Sequence, residues 1–131
     1  MRILALDYGA ARTGAALSDE TETIVRPVAV VEHAGTPAGV EEIANLVRDE
    51  GVGVVIVGLP LTLRGERGAQ ARETEAFVQR LRAALDVPVE TYDERFTTSL
   101  AARAAGDAPE DARAAAHLLE GYLAWKSARR T

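Results

Sequence analysis

The sequence predicts an α/β domain, a mixed sheet with helices packed on its faces. Three observations predict it. Strand-like and helix-like stretches come as three strands, a helix, a strand, a helix, a strand and two helices, so an antiparallel meander is followed by βα units. Val52 to Val57 is a β-branched run with no polar face, the mark of a strand covered on both sides. Residues 37–50 and 69–85 instead place their apolar residues at helical spacing, as helices lying on a sheet do.

The first hairpin organises the rest. Ile3-Leu4-Ala5-Leu6 is an apolar run that ends abruptly in Asp7, and Gly9 lets the chain turn. Gly14 to Ser18 returns, bounded by Asp19 and Glu20. Asp7 could simply cap the turn, as Asp often does. Yet a buried strand has no structural use for an unpaired carboxylate. Together with the acids described below, Asp7 reads better as part of a metal or phosphate site.

Ile24 to Glu32 reads as a third strand, and Pro27 suits a sheet edge. Thr36 followed by Pro37 opens a helix over 37–50, with Val40, Ile43, Ala44 and Val47 on one face. Gly51 and Gly53 bracket its end, and the strand 52–57 follows. Residues 58–68, rich in glycine and charge, form a loop at the carboxyl end of a central strand, where open α/β sheets bind ligands. A helix from about Ala69 to Leu85 turns Phe77, Val78, Leu81 and Leu85 inward. Val87 to Tyr92 is a fifth strand, ending in Asp93-Glu94-Arg95. Thr97-Thr98 opens a short helix to about Ala105, stopped by Gly106. Asp107, with Glu110 three residues on, caps a last helix that runs to about Ala128.

At 131 residues the chain is expected to form one domain, large enough for a real core. Its apolar share of 47% fits a globular protein, and no run is long enough to span a membrane. Met1-Arg2-Ile3 leads straight into a strand, so no signal peptide is expected. Cysteine is absent, which excludes disulfides and thiolate chemistry and makes the cytoplasm the expected compartment. A net charge of −5 argues against a protein that coats nucleic acid. It does not exclude a nuclease, since a site of clustered carboxylates is acidic until its metals arrive. Apart from Lys126 every basic residue is arginine, which suits bidentate phosphate contacts but also follows from a biased composition.

Acids end three elements. Asp7 ends strand one, Asp93 and Glu94 end strand five, and Asp111 lies in the first turn of the last helix. Ala114, Ala115, Leu118, Leu119 and Tyr122 follow Asp111 at helical spacing, so Asp111 is expected on the stripe that docks on the sheet. Carboxylates converging from separate elements repel unless a cation sits between them. Hard divalent ions take such oxygens, and Mg²⁺ keeps water and substrate phosphate as its other ligands. His33 and His117 have no metal-ligand partner at useful spacing and are expected at surface or structural positions. Ser18, Thr97 and Thr98 lack the context of an activated nucleophile.

These motifs resemble the YqgF/RuvX family. The residues that carry the resemblance are Asp7-Tyr8-Gly9, Arg12 and Gly14; Val57-Gly58-Leu59-Pro60 with Gly65 and Gly68; Asp93 to Thr98; and Asp111, Ala114, Ala115, Leu118, Leu119, Tyr122 and Leu123. It covers residues 3–122. It implies an RNase H-like fold with a five-stranded sheet ordered 3-2-1-4-5, strand two antiparallel to the rest, and strands one and four most buried. It implies a nuclease that resolves Holliday junctions in DNA recombination or matures the 5′ end of 16S rRNA in ribosome biogenesis. The family's acidic site falls on Asp7, the Asp93-Glu94 pair and Asp111. Two departures weaken the loops as nucleic-acid contacts: Ala11 stands where family members often have lysine, and only residues 106–109 separate the last two helices.

The expected ligands of one or two Mg²⁺ or Mn²⁺ ions are Asp7, Glu94 and Asp111. Asp93 is second choice to Glu94, because strand neighbours face opposite ways and the longer side chain reaches further. Arg12, Arg64, Arg67 and Arg95 are expected to ring the site and bind the substrate backbone, although Arg95 could instead pair with Asp93. Two further readings stand beside the nuclease. One is a non-catalytic module binding RNA or ribosome-assembly partners. The other is a phosphate-binding domain of the actin/sugar-kinase type, which lacks its second wall here. RNA and branched DNA are not separable by sequence; a homodimer would favour DNA junctions, a monomer RNA processing.

Overall fold

A computed structural model describes residues 1–61, 64–66, 68–93 and 110–129. Among the described residues five strands form one sheet: β1 (Arg2–Asp7), β2 (Arg12–Ser18), β3 (Val25–Glu32), β4 (Val52–Leu59) and β5 (Val89–Asp93). Their order is β3-β2-β1-β4-β5, as expected. β2 is antiparallel to β1 and β3, while β1 with β4 and β4 with β5 are parallel. The helices among the described residues are α1 (Pro37–Glu50), α2 (Ala69–Ala84) and α3 (Glu110–Arg129). The short helix expected over residues 97–105 and the cap expected at Asp107 lie outside the described residues.

Alternation along the strands makes two cores. Leu4 and Leu6 of β1, Val55 and Val57 of β4 and Val89 of β5 pack with Ile43, Phe77, Val78 and Leu81, the inner faces of α1 and α2. Ile3 and Ala5, Val54 and Ile56, and Tyr92 turn to the other side, onto Ala115, Leu118, Leu119 and Tyr122 of α3. β1 and β4 are central and buried on both faces, which is why they read as unbroken apolar runs. Pro27 lies on the edge strand β3, opposite Ala16 and beside a register shift, where its missing N–H breaks no central ladder.

Local chemistry sets the helix ends. The Thr36 hydroxyl accepts from the Gly39 N–H at 3.2 Å, and Pro37 fills the first helical position of α1. Gly51 ends α1 with a left-handed φ of 64°. At the end of α2, Arg82 donates to the Val89 carbonyl from Nε at 3.0 Å and from Nη2 at 2.8 Å, tying the helix to the start of β5.

Several boundaries differ from expectation. β2 begins at Arg12, because Arg12 pairs with Glu32 and the His33 N–H donates to the Ala11 carbonyl at 2.9 Å. β4 continues through Gly58, which pairs with Tyr92, to Leu59. β5 begins only at Val89, after Pro88. No helix among the described residues is long and apolar enough to cross a membrane.

Candidate active site

The carboxyl ends of β1, β4 and β5 lie along one edge of the sheet, since these strands are parallel. Asp7 ends β1 and is half-buried. It follows Ile3 and Ala5 in the alternation, so its side chain belongs to the face covered by α3. Tyr8 turns the other way and stacks on Phe77 of α2, with ring centroids 4.4 Å apart.

Gly14 joins Asp7 to Asp111. It is the cross-strand partner of Asp7. A Cβ on Gly14 would lie 1.7 Å from the Asp111 carbonyl oxygen and 2.2 Å from its carbon. The start of α3 therefore rests directly on the glycine backbone, and Asp7 and Asp111 come to one face through a single residue. The tip beneath them is locked. Thr13 is fully buried, and its hydroxyl accepts from the Gly9 N–H at 3.3 Å and donates to the Gly9 carbonyl at 3.4 Å.

Asp111 is less inward than its spacing suggested. The buried face of α3 includes Ala112, Ala115, Ala116 and Leu119 and is wider than the expected stripe, with Ala114 only half-buried. Asp111 sits on its flank, where its Oδ2 takes the Arg12 guanidinium, Nε at 3.3 Å. Sequence reasoning missed this pair, having aimed Arg12 at a phosphate together with Arg95. The usable signal was the antiparallel return itself, which sets Arg12 beside the strand end that faces α3.

At the far side, Asp93 pairs with Leu59, two strands from Asp7, so the two backbones are about 10 Å apart. Val89 packs toward α1 and α2 and Tyr92 toward α3. Asp93 shares the parity of Val89, so its side chain belongs to the face opposite Asp7. Glu94 and Arg95 lie outside the described residues, as does Arg67. Arg64 is described and exposed, beside Gly65, whose φ of 81° needs a glycine.

Several other cations have structural work. Lys126 pairs with Glu22 at 2.9 Å, and Arg2 and Arg26 both pair with Glu50, at 3.3 and 3.5 Å. Burial pushes the Tyr92 phenol above its ordinary pKa, helped by the Asp93 charge; burial does the same to Tyr122, helped by Glu90 and Glu22. His117 is not at the surface. It is 5% exposed, and neither ring nitrogen has a hydrogen-bond partner among the described residues. His33 is exposed in a turn, as expected.

The donor set fits a hard divalent ion in chemistry: Asp7 at the end of central strand β1 and Asp111 in the first turn of α3 both carry carboxylate oxygens on the α3 side of the sheet. Among the described residues no three acidic, histidine or cysteine side chains form a metal-binding group.

A five-stranded sheet in this order, with α3 starting over the acidic end of β1, makes this an RNase H-like protein. The family model described as "RuvX: Holliday junction resolvase" matches residues 1–125, and the chain belongs to that family. A relative from Anaeromyxobacter sp. (strain Fw109-5), named "Putative pre-16S rRNA nuclease", is 42% identical, the match covering 94% of this chain and 96% of the relative. A relative of the same name from Rubrobacter xylanophilus is 43% identical over 93% of this chain and 91% of its own. Among solved structures, RuvC of T. thermophilus in complex with a Holliday junction substrate superposes with a TM-score of 0.66 at 15% identity, covering 97% of this chain and 96% of that one. The fowlpox virus Holliday junction resolvase gives 0.56 at 13% identity, over 95% and 99%. At such identities these two likenesses speak for the fold.

Proposed function

We propose that this chain is a metal-dependent nuclease domain that hydrolyses phosphodiester bonds in structured nucleic acid, and that its substrate is the 5′ end of precursor 16S rRNA. The observation that supports the nuclease reading is the backbone packing of Asp111 on Gly14, the cross-strand partner of Asp7, which makes the two acidic residues neighbours at this edge of the sheet. The choice of RNA rests on relatives above 40% identity over nearly the full chain, whereas the junction-resolving structures are similar only in fold. The cytoplasm, where precursor rRNA is made, is the compartment this reading implies.

Asp7 and Asp111 would hold Mg²⁺ or Mn²⁺. Glu94 is the third ligand in this reading, because Asp93 falls on the parity of the opposite face. When bound, one or two such ions supply an activated water and stabilise charge on the leaving oxygen. Arg12 at the hairpin tip and Arg64 in the glycine loop contribute positive charge that positions the substrate backbone, with Arg67 and Arg95 proposed beside them. No side chain needs to form a covalent intermediate.

The test is cleavage of a precursor-rRNA fragment and a four-way DNA junction under Mg²⁺ and Mn²⁺, by the wild type and by Asp7→Asn. This change keeps shape and removes charge. Losing one such ligand costs several kcal/mol of transition-state stabilisation, so cleavage should fall by roughly 10³-fold or more. Wild-type rates from Asp7→Asn would overturn the mechanism. Binding of both substrates with no cleavage of either by the wild type would favour the binding-module reading, and cleavage of the junction alone would move the substrate to DNA.

A further inference from the structure

Arg12 was expected to face a phosphate, yet it holds Asp111. We infer that Arg12 is an internal stand-in for the metal: its guanidinium neutralises Asp111 in the metal-free protein, leaves when the ion binds, and is thereby released to the substrate phosphate. The inference deepens the metal-nuclease reading and rests on it.

Three features support such an exchange. The pair uses Oδ2 of Asp111, at 3.3 Å from Nε, and a hard cation needs carboxylate oxygens of the same group. Ion and guanidinium compete for one charge. Both backbones are fixed, so only side chains have to move. Arg12 is held by its ladder pairing with Glu32 and by the Thr13–Gly9 lock, and the start of α3 is held against Gly14. The moving part is also exposed: the Arg12 side chain is 65% accessible and that of Asp111 36%, so the pair sits in solvent and parts at low cost.

Exposed pairs of this kind are weak, so the competition should change metal affinity by about two- to fivefold. The sign is the informative part. Arg12→Gln should bind Mn²⁺ about two- to fivefold more tightly than the wild type and bind RNA more weakly. A merely structural injury would weaken both. Arg12→Lys keeps a cation able to pair and should stay near the wild type for Mn²⁺.

The experiment is a Mn²⁺ titration followed by electron paramagnetic resonance, without nucleic acid. It uses the wild type, Arg12→Gln, Arg12→Lys, Asp111→Asn and the remote control Arg48→Gln. The same proteins are then titrated with the precursor-rRNA fragment at saturating Ca²⁺, a hard cation that fills the site while limiting cleavage, because Arg12 is free for phosphate only in the ion-bound protein. A second readout is the ¹⁵N signal of the Arg12 Nε–H in the wild type, which should move to a solvent-exposed position as Mg²⁺ is added. Unchanged or weaker Mn²⁺ binding by Arg12→Gln, or an Nε–H signal indifferent to saturating Mg²⁺, overturns the inference alone. If Asp111→Asn binds Mn²⁺ as tightly as the wild type, the proposed metal site fails, and the inference with it.

Discussion

Gly14→Ala should damage the protein in two separable ways. The added Cβ would stand 1.7 Å from the Asp111 oxygen, 2.2 Å from its carbon and 2.8 Å from the Ala112 nitrogen. Contacts under 3.0 Å are essentially never seen for real Cβ atoms, so the start of α3 must retreat by about 1.3 Å or more. These three nearest atoms are all backbone, so no rotamer change relieves the clash. Overpacking of this kind costs about 1–3 kcal/mol. For a domain of this size that lowers the melting temperature by roughly 4–11 °C. The retreat also carries Asp111 away from Asp7, and misplacing a reacting group by about 1 Å can cost on the order of 10² in rate. Gly53→Ala is the control. Its Cβ would meet mainly the Met1 side chain, a flexible end that is 52% exposed, so the cost should stay below about 1 kcal/mol. Thermal unfolding of both variants, with Mn²⁺ titration of each, checks the reasoning. Gly14→Ala melting and binding Mn²⁺ as the wild type does would show that α3 does not rest on β2 as described.

Two further outcomes concern stability. In the turn between β2 and β3, Asp19 accepts from the Thr21 hydroxyl and from the N–H groups of Ile24 and Thr23, which holds its carboxyl well below the ordinary value of 3.8. A lowered folded pKa gives stability that is present above that ordinary value and lost as pH falls through the folded one. Asp19→Asn should therefore be less stable at pH 7, and the gap to the wild type, measured by urea unfolding from pH 7 to pH 2.5, should hold to about pH 4 and then narrow; a gap that widens in acid refutes the sign. His117→Leu should leave stability unchanged or raise it by up to about 1–3 kcal/mol, because it removes two buried ring nitrogens without hydrogen-bond partners among the described residues. A large loss of melting temperature would show that the imidazole has a partner.

The fold was legible wherever one side of an element decides its place. α1 is bounded by Thr36, Pro37 and Gly51, and its limits are the expected ones, because caps act through the nearest few atoms. β4 declared itself central through β-branched residues that face both ways, and Pro27 declared the edge. What failed was the depth of pairing at strand ends. Gly58 looked like a loop residue, yet it pairs with Tyr92, since ladder bonds depend on a neighbour distant in sequence. The site was legible as a set of residue types and only partly as geometry. Asp7 could be placed from its strand alone. Asp111 needed the thickness of the α3 face, which periodicity gives only to within a turn. Gly14 stood in the motif without a reason until the helix was seen to lie on it.

The charge balance of the site follows from the same geometry and changes one expectation. Carboxylates brought together in a metal-free site repel, so Asp7→Asn would be expected to stabilise the protein by relieving that repulsion. The pair between Arg12 and Asp111 alters this, because Asp111 already has a cation at 3.3 Å and presents little net charge to Asp7. The repulsion between Asp111 and Asp7 is then small in the wild type and larger in Arg12→Gln, where Asp111 is no longer balanced, so Asp7→Asn should shift stability more favourably in Arg12→Gln than in the wild type. Two effects that a single variant confounds, repulsion between the acids and compensation by the arginine, are thus separable in the double variant. The sequence spaces Asp7, Arg12 and Gly14 within one hairpin, so β1 brings an acid, β2 brings the cation paired with Asp111, and Gly14, two residues after Arg12 on β2, admits the helix that carries the second acid.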